Sequence, residues 1–343
     1  MNFPDLISPA ELTDIFHTAG ALERGAVTNV SLDKQVDTIV STLTFLNATY
    51  SPDASPVLPE RLVLKRPLAS VSDATKISRS ELAFYSQLAP QLPSPPILPF
   101  YLTTPDRSLI LQDLRTSHTN QVWPLPPSDS QCVKVVESLA LVHARWWEDT
   151  ALGVTLGSPH TSESLTTMVS GVAALLPPFC DFAGDALSAP ERKLLEQVFG
   201  SRLRPWLRLT EPKALTVIHG DAHSWNFLFP RQEPGAVYLI DWQLWHVDVG
   251  ARELAFLMAA HWDREYLRAK EVPLLQDYYG KLLASGIENY SWDDLWLDYR
   301  FGVVRNLTIP LLFWNRGVPA NRWQHCLRCV LAAYDDLRCD EVL

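Results

Sequence analysis

The spacing of apolar positions changes about a third of the way along the chain. Ser8-Pro9-Ala10-Glu11 reads as a capping box with proline at the first helical position, and predicts a helix ending near Gly20. Between Val27 and Asn47, Val, Thr, Ile and Leu recur with partial alternation, which predicts two strands meeting around Asp33-Lys34-Gln35. Pro52, Pro56 and Pro59 mark a loop. Arg61 to Lys65 then reads as a short strand that ends before Pro67. Ile77, Leu82, Phe84, Tyr85 and Leu88 stand at roughly helical spacing within 74–89. The stretch from Pro93 to Pro105 is too rich in proline for a helix, and Ser108 to Leu111 follows as another strand.

Beyond residue 128 the period becomes helical. Residues 130–149 are amphipathic, a second capping box at Ser188-Ala189-Pro190-Glu191 opens a helix running to about Leu207, and Ser291-Trp292-Asp293-Asp294 opens another. Two short β-like runs, Leu215 to Ile218 and Val237 to Ile240, interrupt the helices. The reading is an α+β chain with a β-rich first part over residues 1–112 and a mainly helical part over 113–343, with a ligand-binding cleft expected between them.

Composition narrows the classes. Of 343 residues 47% are apolar and 20% charged, the balance of a globular chain. A formal charge of -10, with no long Lys/Arg cluster, argues against a protein that tracks nucleic-acid phosphates. No uninterrupted apolar run reaches the roughly 18 to 20 residues of a membrane span, and the acidic start lacks a secretory pattern, so a cytoplasmic protein without a membrane partner is expected. Five cysteines are too irregular for a disulfide framework. The pair Cys326 and Cys329 shares one helical face and has no second pair to complete a zinc site, so both read as buried thiols.

Chemistry concentrates in one segment. His219-Gly220-Asp221-Ala222-His223-Ser224-Trp225-Asn226 follows an apolar strand, and fifteen residues after Asn226 a second strand ends in Ile240-Asp241-Trp242-Gln243. Phosphoryl transfer needs a carboxylate to orient the attacking hydroxyl and hard oxygen ligands to hold magnesium on the phosphates. Asp221 suits the first role, and Asn226 with Asp241 the second.

This HGDxHxxN segment followed by IDW resembles the signature of the aminoglycoside phosphotransferase and choline kinase superfamily, and the Gln243 after it is most similar to the ecdysteroid-kinase-like branch. The resemblance implies a protein-kinase-like two-lobed fold and phosphorylation of small-molecule hydroxyls with ATP and magnesium. It implies that Lys65 contacts the ATP phosphates, that Glu81 pairs with this lysine, and that Gln112, Asp113 and Leu114 belong to a linker whose backbone meets the adenine. His143-Ala144-Arg145-Trp146-Trp147 resembles a helix of the same branch. It also implies that His219 and Glu253 brace the loop around Asp221.

One departure stands out: the expected turn at Asp33-Lys34-Gln35 has no glycine, where related kinases let backbone amides approach phosphates. Either Lys34 substitutes by charge, or the turn does not cover the phosphates closely.

The acceptor is read from aromatics and acids. Twelve tryptophans is a high count, and Trp225, Trp242, Trp245, Trp262, Trp292, Trp296, Trp314 and Trp323 fall in the part expected to receive the acceptor. Ring faces beside Asp248, Asp263, Asp294 or Asp298 suit an amine- or guanidine-bearing alcohol. His223, Trp245, Asp248, Trp296 and Trp314 are the acceptor candidates. Two other classes compete. A catalytically silent kinase-shaped binding protein fits the missing glycines, and a protein kinase lacks room for an activation segment after Asp241.

Overall fold

In the computed structural model residues 6–343 are described apart from 39, 57, 69–73, 103–107, 150, 153–156, 158–160, 202 and 212, with the side chains of 74–78, 100–102 and 201 set aside. Pro105 of the proline-rich stretch thus lies outside the described residues. In chain order the first elements are α1 (Pro9–Thr18), β1 (Val27–Asp37), β2 (Ser41–Tyr50), β3 (Arg61–Pro67), α2 (Ala74–Ala83), β4 (Phe100–Leu102), β5 (Leu109–Gln112) and β6 (His118–Thr119). The helices α3 (Asp129–Arg145), α4 (Ser162–Ala173), α5 (Leu176–Ala183), α6 (Ala189–Ser201) and α7 (Arg204–Leu207) follow. Next come β7 (Leu215–Ile218), β8 (Phe227–Pro230), β9 (Tyr238–Leu239) and β10 (His246–Val249). The chain finishes with α8 (Gly250–Ala259), α9 (Arg264–Ala284), α10 (Trp292–Asn306), α11 (Thr308–Asn315) and α12 (Ala320–Asp336).

The chain divides into two compact units. The first holds residues 1–120 together with 228–245, and the second holds 121–227 with 246–343. The sequence places a single cut at 112; the structure instead returns a short excursion, including Asp241, to the first unit.

The first unit is built on an antiparallel sheet of order β1-β2-β3-β5-β4, with α1 across it. Leu12 and Phe16 of α1 pack with Leu46, Leu62, Leu64 and Ile110 of the strands, all nearly free of solvent. Ser8 caps α1 as its sequence predicts: its side chain accepts from the Glu11 amide, and Glu11 reaches back to the Ser8 amide. The hairpin differs from expectation. β1 continues through Asp33-Lys34-Gln35 to Asp37, and β2 begins at Ser41. A register shift between Leu32 and Lys34 leaves Asp33 as a bulge, so the polar run is a kink in a strand rather than its end. The Thr38 hydroxyl closes the turn by donating to the Ser41 carbonyl and accepting from its amide. After α2 the helix widens into a π turn over Phe84–Leu88 and buries Phe84, Tyr85 and Leu88.

The second unit is mainly helical around a two-stranded ribbon. β7 pairs antiparallel with β10, Ile218 opposite His246 and Thr216 opposite Asp248. α8 leaves β10 directly and packs on α10, where a side chain at Gly302 would press on the Ala255 methyl and the Arg252 backbone. The helix expected to run to Leu207 breaks after Ser201 into the separate α7. Cys326 and Cys329 lie buried on α12. Ser162–Ala186 is long and apolar enough to cross a membrane by length and composition, although no uninterrupted apolar run was expected. The chain divides it at Leu175 into α4 and α5, whose inner faces bury Leu165, Val169, Leu176 and Phe179. Phe179 packs edge-on against Trp314 and Trp323.

Candidate active site

The residues singled out by sequence fall in two places, one in each unit. In the first unit, Lys65 on β3 points its ammonium at two carboxylates. Nζ donates to Glu81 at 2.8–2.9 Å and to Asp241 Oδ1 at 2.5 Å. Burial disfavours the ammonium, but the carboxylates of Glu81 and Asp241 outweigh it and raise its pKa above the ordinary lysine range. For Glu81 burial dominates over the attraction of Lys65, with Asp241 adding repulsion, and its pKa is raised.

Asp241 is held in the left-handed region at φ 71° and ψ 52°, a conformation that aspartate tolerates better than most side chains. The turn that follows is locked by Trp242, whose ring stacks on Phe84 at 3.8 Å and whose Nε1 donates to the Leu239 carbonyl. Trp245 Nε1 donates to the Ser80 carbonyl at the end of α2. These two tryptophans therefore tie the Asp241 turn to the helix carrying Glu81. Trp242 and Trp245 belong to the first unit, which amends the expectation that they face the acceptor from the helical part.

The linker is more occupied than expected. The Asp113 amide donates to the Arg61 carbonyl, and the Leu114 carbonyl accepts from the amides of Ser117 and His118. The Asp113 carboxylate accepts from Arg61 and from both the backbone and guanidinium of Arg115. Arg115 in turn lies 3.8 Å over the Phe45 ring and reaches the bulged Asp33 at 2.5 Å. These backbone groups are engaged within the fold, so an adenine expected at 112–114 has fewer free groups to meet than the resemblance implies. A cavity of about 270 Å³ borders this segment, lined by Arg61, Gln112, Asp113, Leu114, Thr116 and Ser117 among others.

In the second unit β7 runs straight into the loop around Asp221. Gly220 adopts φ 81°, a left-handed conformation in which a side chain would be strained. Glu253 on α8 accepts from the His219 amide at 2.9 Å, the Gly220 amide at 2.6 Å and His143 Nε2 at 3.0 Å. His143 is fixed on its other side by the Tyr278 hydroxyl at 2.8 Å from Nδ1. Burial would raise the Glu253 pKa, but the His143 hydrogen bond and the neighbouring donors outweigh it, so it is lowered. His219 is fully buried, and its Nδ1 accepts from the Asp221 amide. Both residues brace the loop.

Asp221 itself keeps a quarter of its side chain exposed, with His223 Nε2 at 3.5 Å from Oδ2. Asn226 Nδ2 donates to the Asp221 carbonyl at 2.9 Å. That bond commits the amide nitrogen inward and leaves Oδ1 as the atom Asn226 can offer to a metal. His223 packs on Trp225 at 4.5 Å, and Trp225 on His261 at 5.1 Å.

The remaining acceptor candidates are placed elsewhere. Asp248 is fully buried and both its oxygens accept from Arg305, at 2.6 and 2.9 Å. It is a structural ion pair and unavailable to a ligand, a correction to the sequence reading. Asp298 is paired likewise, with Arg208 and the Tyr290 hydroxyl. Asp294 caps α10 and meets Lys213, and Asp263 caps α9. Trp296 stacks between Trp292 and Tyr299, and Trp314 packs with Phe179 and Phe182, so both serve packing of helices. Among the described residues, no group of three or more His, Cys, Asp or Glu forms a metal cage.

The model of the phosphotransferase enzyme family matches residues 42–288. The chain belongs to this family. No curated protein matches it by sequence. The macrolide 2′-phosphotransferase of Brachybacterium faecium superposes with a TM-score of 0.55 at 14% identity, over 93% of this chain and 97% of its own. A spectinomycin phosphotransferase solved with ADP and spectinomycin gives 0.53 at 12%, over 98% and 99%. The choline kinase of Streptococcus pneumoniae gives 0.52 at 14%, over 89% and 94%. At these identities the likeness shows the fold. This phosphotransferase-family chain has the protein-kinase-like fold, a small β-rich part and a larger, mainly helical one.

Sequence reasoning missed two arginines near these groups. Arg115 follows the linker and reads as a solvated charge, since nothing local foretells that Asp33 will bulge towards it. Arg252 precedes Glu253 in the first turn of α8 and reads as a surface residue; its surroundings come from Phe256 on its own helix and from elements distant in sequence.

Proposed function

We infer that this phosphotransferase transfers the γ-phosphoryl group of ATP, with magnesium, to a hydroxyl of a small molecule. The observation carrying this reading is the bond between Asn226 and Asp221, which fixes a candidate base and a candidate metal ligand in one braced loop. Asp221 would accept the hydroxyl proton while orienting the oxygen for in-line attack. Asn226 Oδ1 and Asp241 are hard oxygen donors of the kind magnesium takes, and two protein ligands suffice because the phosphates and water complete its shell. Bound magnesium supplies neutralisation of phosphate charge. Lys65, held protonated between Glu81 and Asp241, would neutralise further charge on the phosphates.

A second reading, a nucleotide-binding protein without turnover, is favoured by the connection from β1 to β2, whose sequence contains no glycine. Turnover decides between them. ATP hydrolysis or transfer that requires magnesium and is lost in Lys65→Met supports the kinase reading. A thermal shift with ADP and no turnover on any alcohol, or on water, supports the second.

A further inference from the structure

Arg252 lies on the first turn of α8, beside the brace of the Asp221 loop. Its side chain is 16% exposed, yet Nε and Nη1 are buried and make no hydrogen bond among the described residues. The nearest carboxylate, Asp248, stands 3.8 Å from Nε, beyond hydrogen-bond range, and is already saturated by Arg305. Glu253, next in sequence, spends its oxygens on His143 and two backbone amides. Buried donors without acceptors cost folding free energy, and guanidinium is the side chain best shaped to receive oxyanions.

The direction of this charge is set by its neighbours. The guanidinium carbon lies 5.6 Å from the Phe256 ring. Phe256 is 6.4 Å from His223, which meets Asp221 at 3.5 Å. Burial depresses the Arg252 pKa first, then repulsion from Arg305; Asp248, Glu253 and Asp221 act in the opposite sense, so the Asp221 charge is within electrostatic reach. Meanwhile the acids that suit an ammonium, Asp248, Asp263, Asp294 and Asp298, are each spent on a guanidinium, an ammonium or a helix cap.

We propose that Arg252 is an oxyanion-binding residue beside Asp221. It takes either the phosphoryl group in transfer or a carboxylate carried by the acceptor. This rests on the kinase reading above, and it replaces the amine-bearing acceptor expected from sequence with an acidic or neutral one.

The test compares the wild type with Arg252→Met and Arg252→Lys. Each is titrated with inorganic phosphate and with malate, a simple hydroxy acid, following thermal stability, and each is assayed for magnesium-dependent ATP hydrolysis without acceptor. The expected result is that the wild type responds to one of these oxyanions and Arg252→Met binds it at least ~10-fold more weakly. In buffer alone the methionine variant melts at the same temperature or higher, because the unsatisfied donors are gone. If the phosphoryl group is the ligand, the phosphate response falls together with ATP hydrolysis, the latter by ~10²-fold or more. If the acceptor carboxylate is the ligand, the malate response falls and hydrolysis holds. Lys65→Met separates any phosphate binding that belongs to the nucleotide. A wild type indifferent to both probes, or equal responses in wild type and Arg252→Met, overturns the proposal. Failure of the kinase reading shows separately, as a wild type that neither responds to ADP nor turns ATP over.

Discussion

The carboxylate of Glu253 and the imidazole of His143 meet at 3.0 Å with no solvent reaching either side chain. Through the same carboxylate the amides of His219 and Gly220 are held, so a pair buried beneath the loop fixes the residue that precedes Asp221 in the chain. Removing one partner leaves a charge or several donors buried and unsatisfied. We expect Glu253→Ala to cost about 3–5 kcal/mol, and Glu253→Gln to cost less but to lower kcat more than it raises KM. Urea denaturation and steady-state kinetics check this. Because the Glu253 pKa is lowered in the fold, its contribution is present above about 4.5 and is lost as pH falls through its lowered value.

Gly250 opens α8 beneath this pair. A methyl group there would stand 2.5 Å from the Tyr278 hydroxyl and 2.8 Å from His143 Nδ1. Gly250→Ala should therefore break the Tyr278–His143 bond and destabilise by about 1–3 kcal/mol. The melting temperature would fall, and adding Tyr278→Phe should recover part of the loss by removing the clashing oxygen. An unchanged melting temperature in the single variant would contradict the packing described.

Glu271 gives stability the opposite dependence on pH. It is buried on α9 and accepts from the Tyr299 hydroxyl at 2.7 Å; burial raises its pKa from 4.5 to about 7, the Tyr299 hydrogen bond offsetting this only in part and Asp336 adding to it. A raised carboxyl favours the fold while protonated. Its contribution is fully present below about 4.5 and is lost as pH rises through about 7. Unfolding free energies at pH 5 and pH 8 should differ less in Glu271→Gln than in the wild type.

Much of the first unit was legible because its signals are local. The capping box at Ser8 and the strand from Arg61 to Lys65 need only neighbours in sequence. The turn between β1 and β2 was not, since a polar triplet such as Asp33-Lys34-Gln35 makes a bulge as readily as a turn, and partners far along the chain, Arg61 and Arg115, decide which. The loop residues Asp221 and Asn226 were legible because the motif is contiguous. Two acceptor candidates lie elsewhere for a physical reason: Asp248 and Trp314 have the right chemistry, but burial and pairing depend on α10 and α5, which no local pattern reveals.

Lys65 offers a prediction on the nucleotide side. Lys65→Met removes the cation between Glu81 and Asp241 and leaves two acids facing each other. ADP affinity should fall by ~10-fold or more, about 1.4 kcal/mol. The double variant Lys65→Met, Glu81→Leu should be more stable than the single one, since the buried acid goes with its partner. Isothermal titration and thermal denaturation report the two effects.

The most direct test of the account is magnesium-dependent turnover of ATP over a panel of hydroxy acids, sugars and amino alcohols by the wild type and Asp221→Ala. Phosphate transfer to at least one alcohol is expected, reduced by ~10²-fold or more in the variant while ADP binding is kept. Equal turnover in both proteins would contradict the assignment of Asp221 as the residue that orients the attacking hydroxyl.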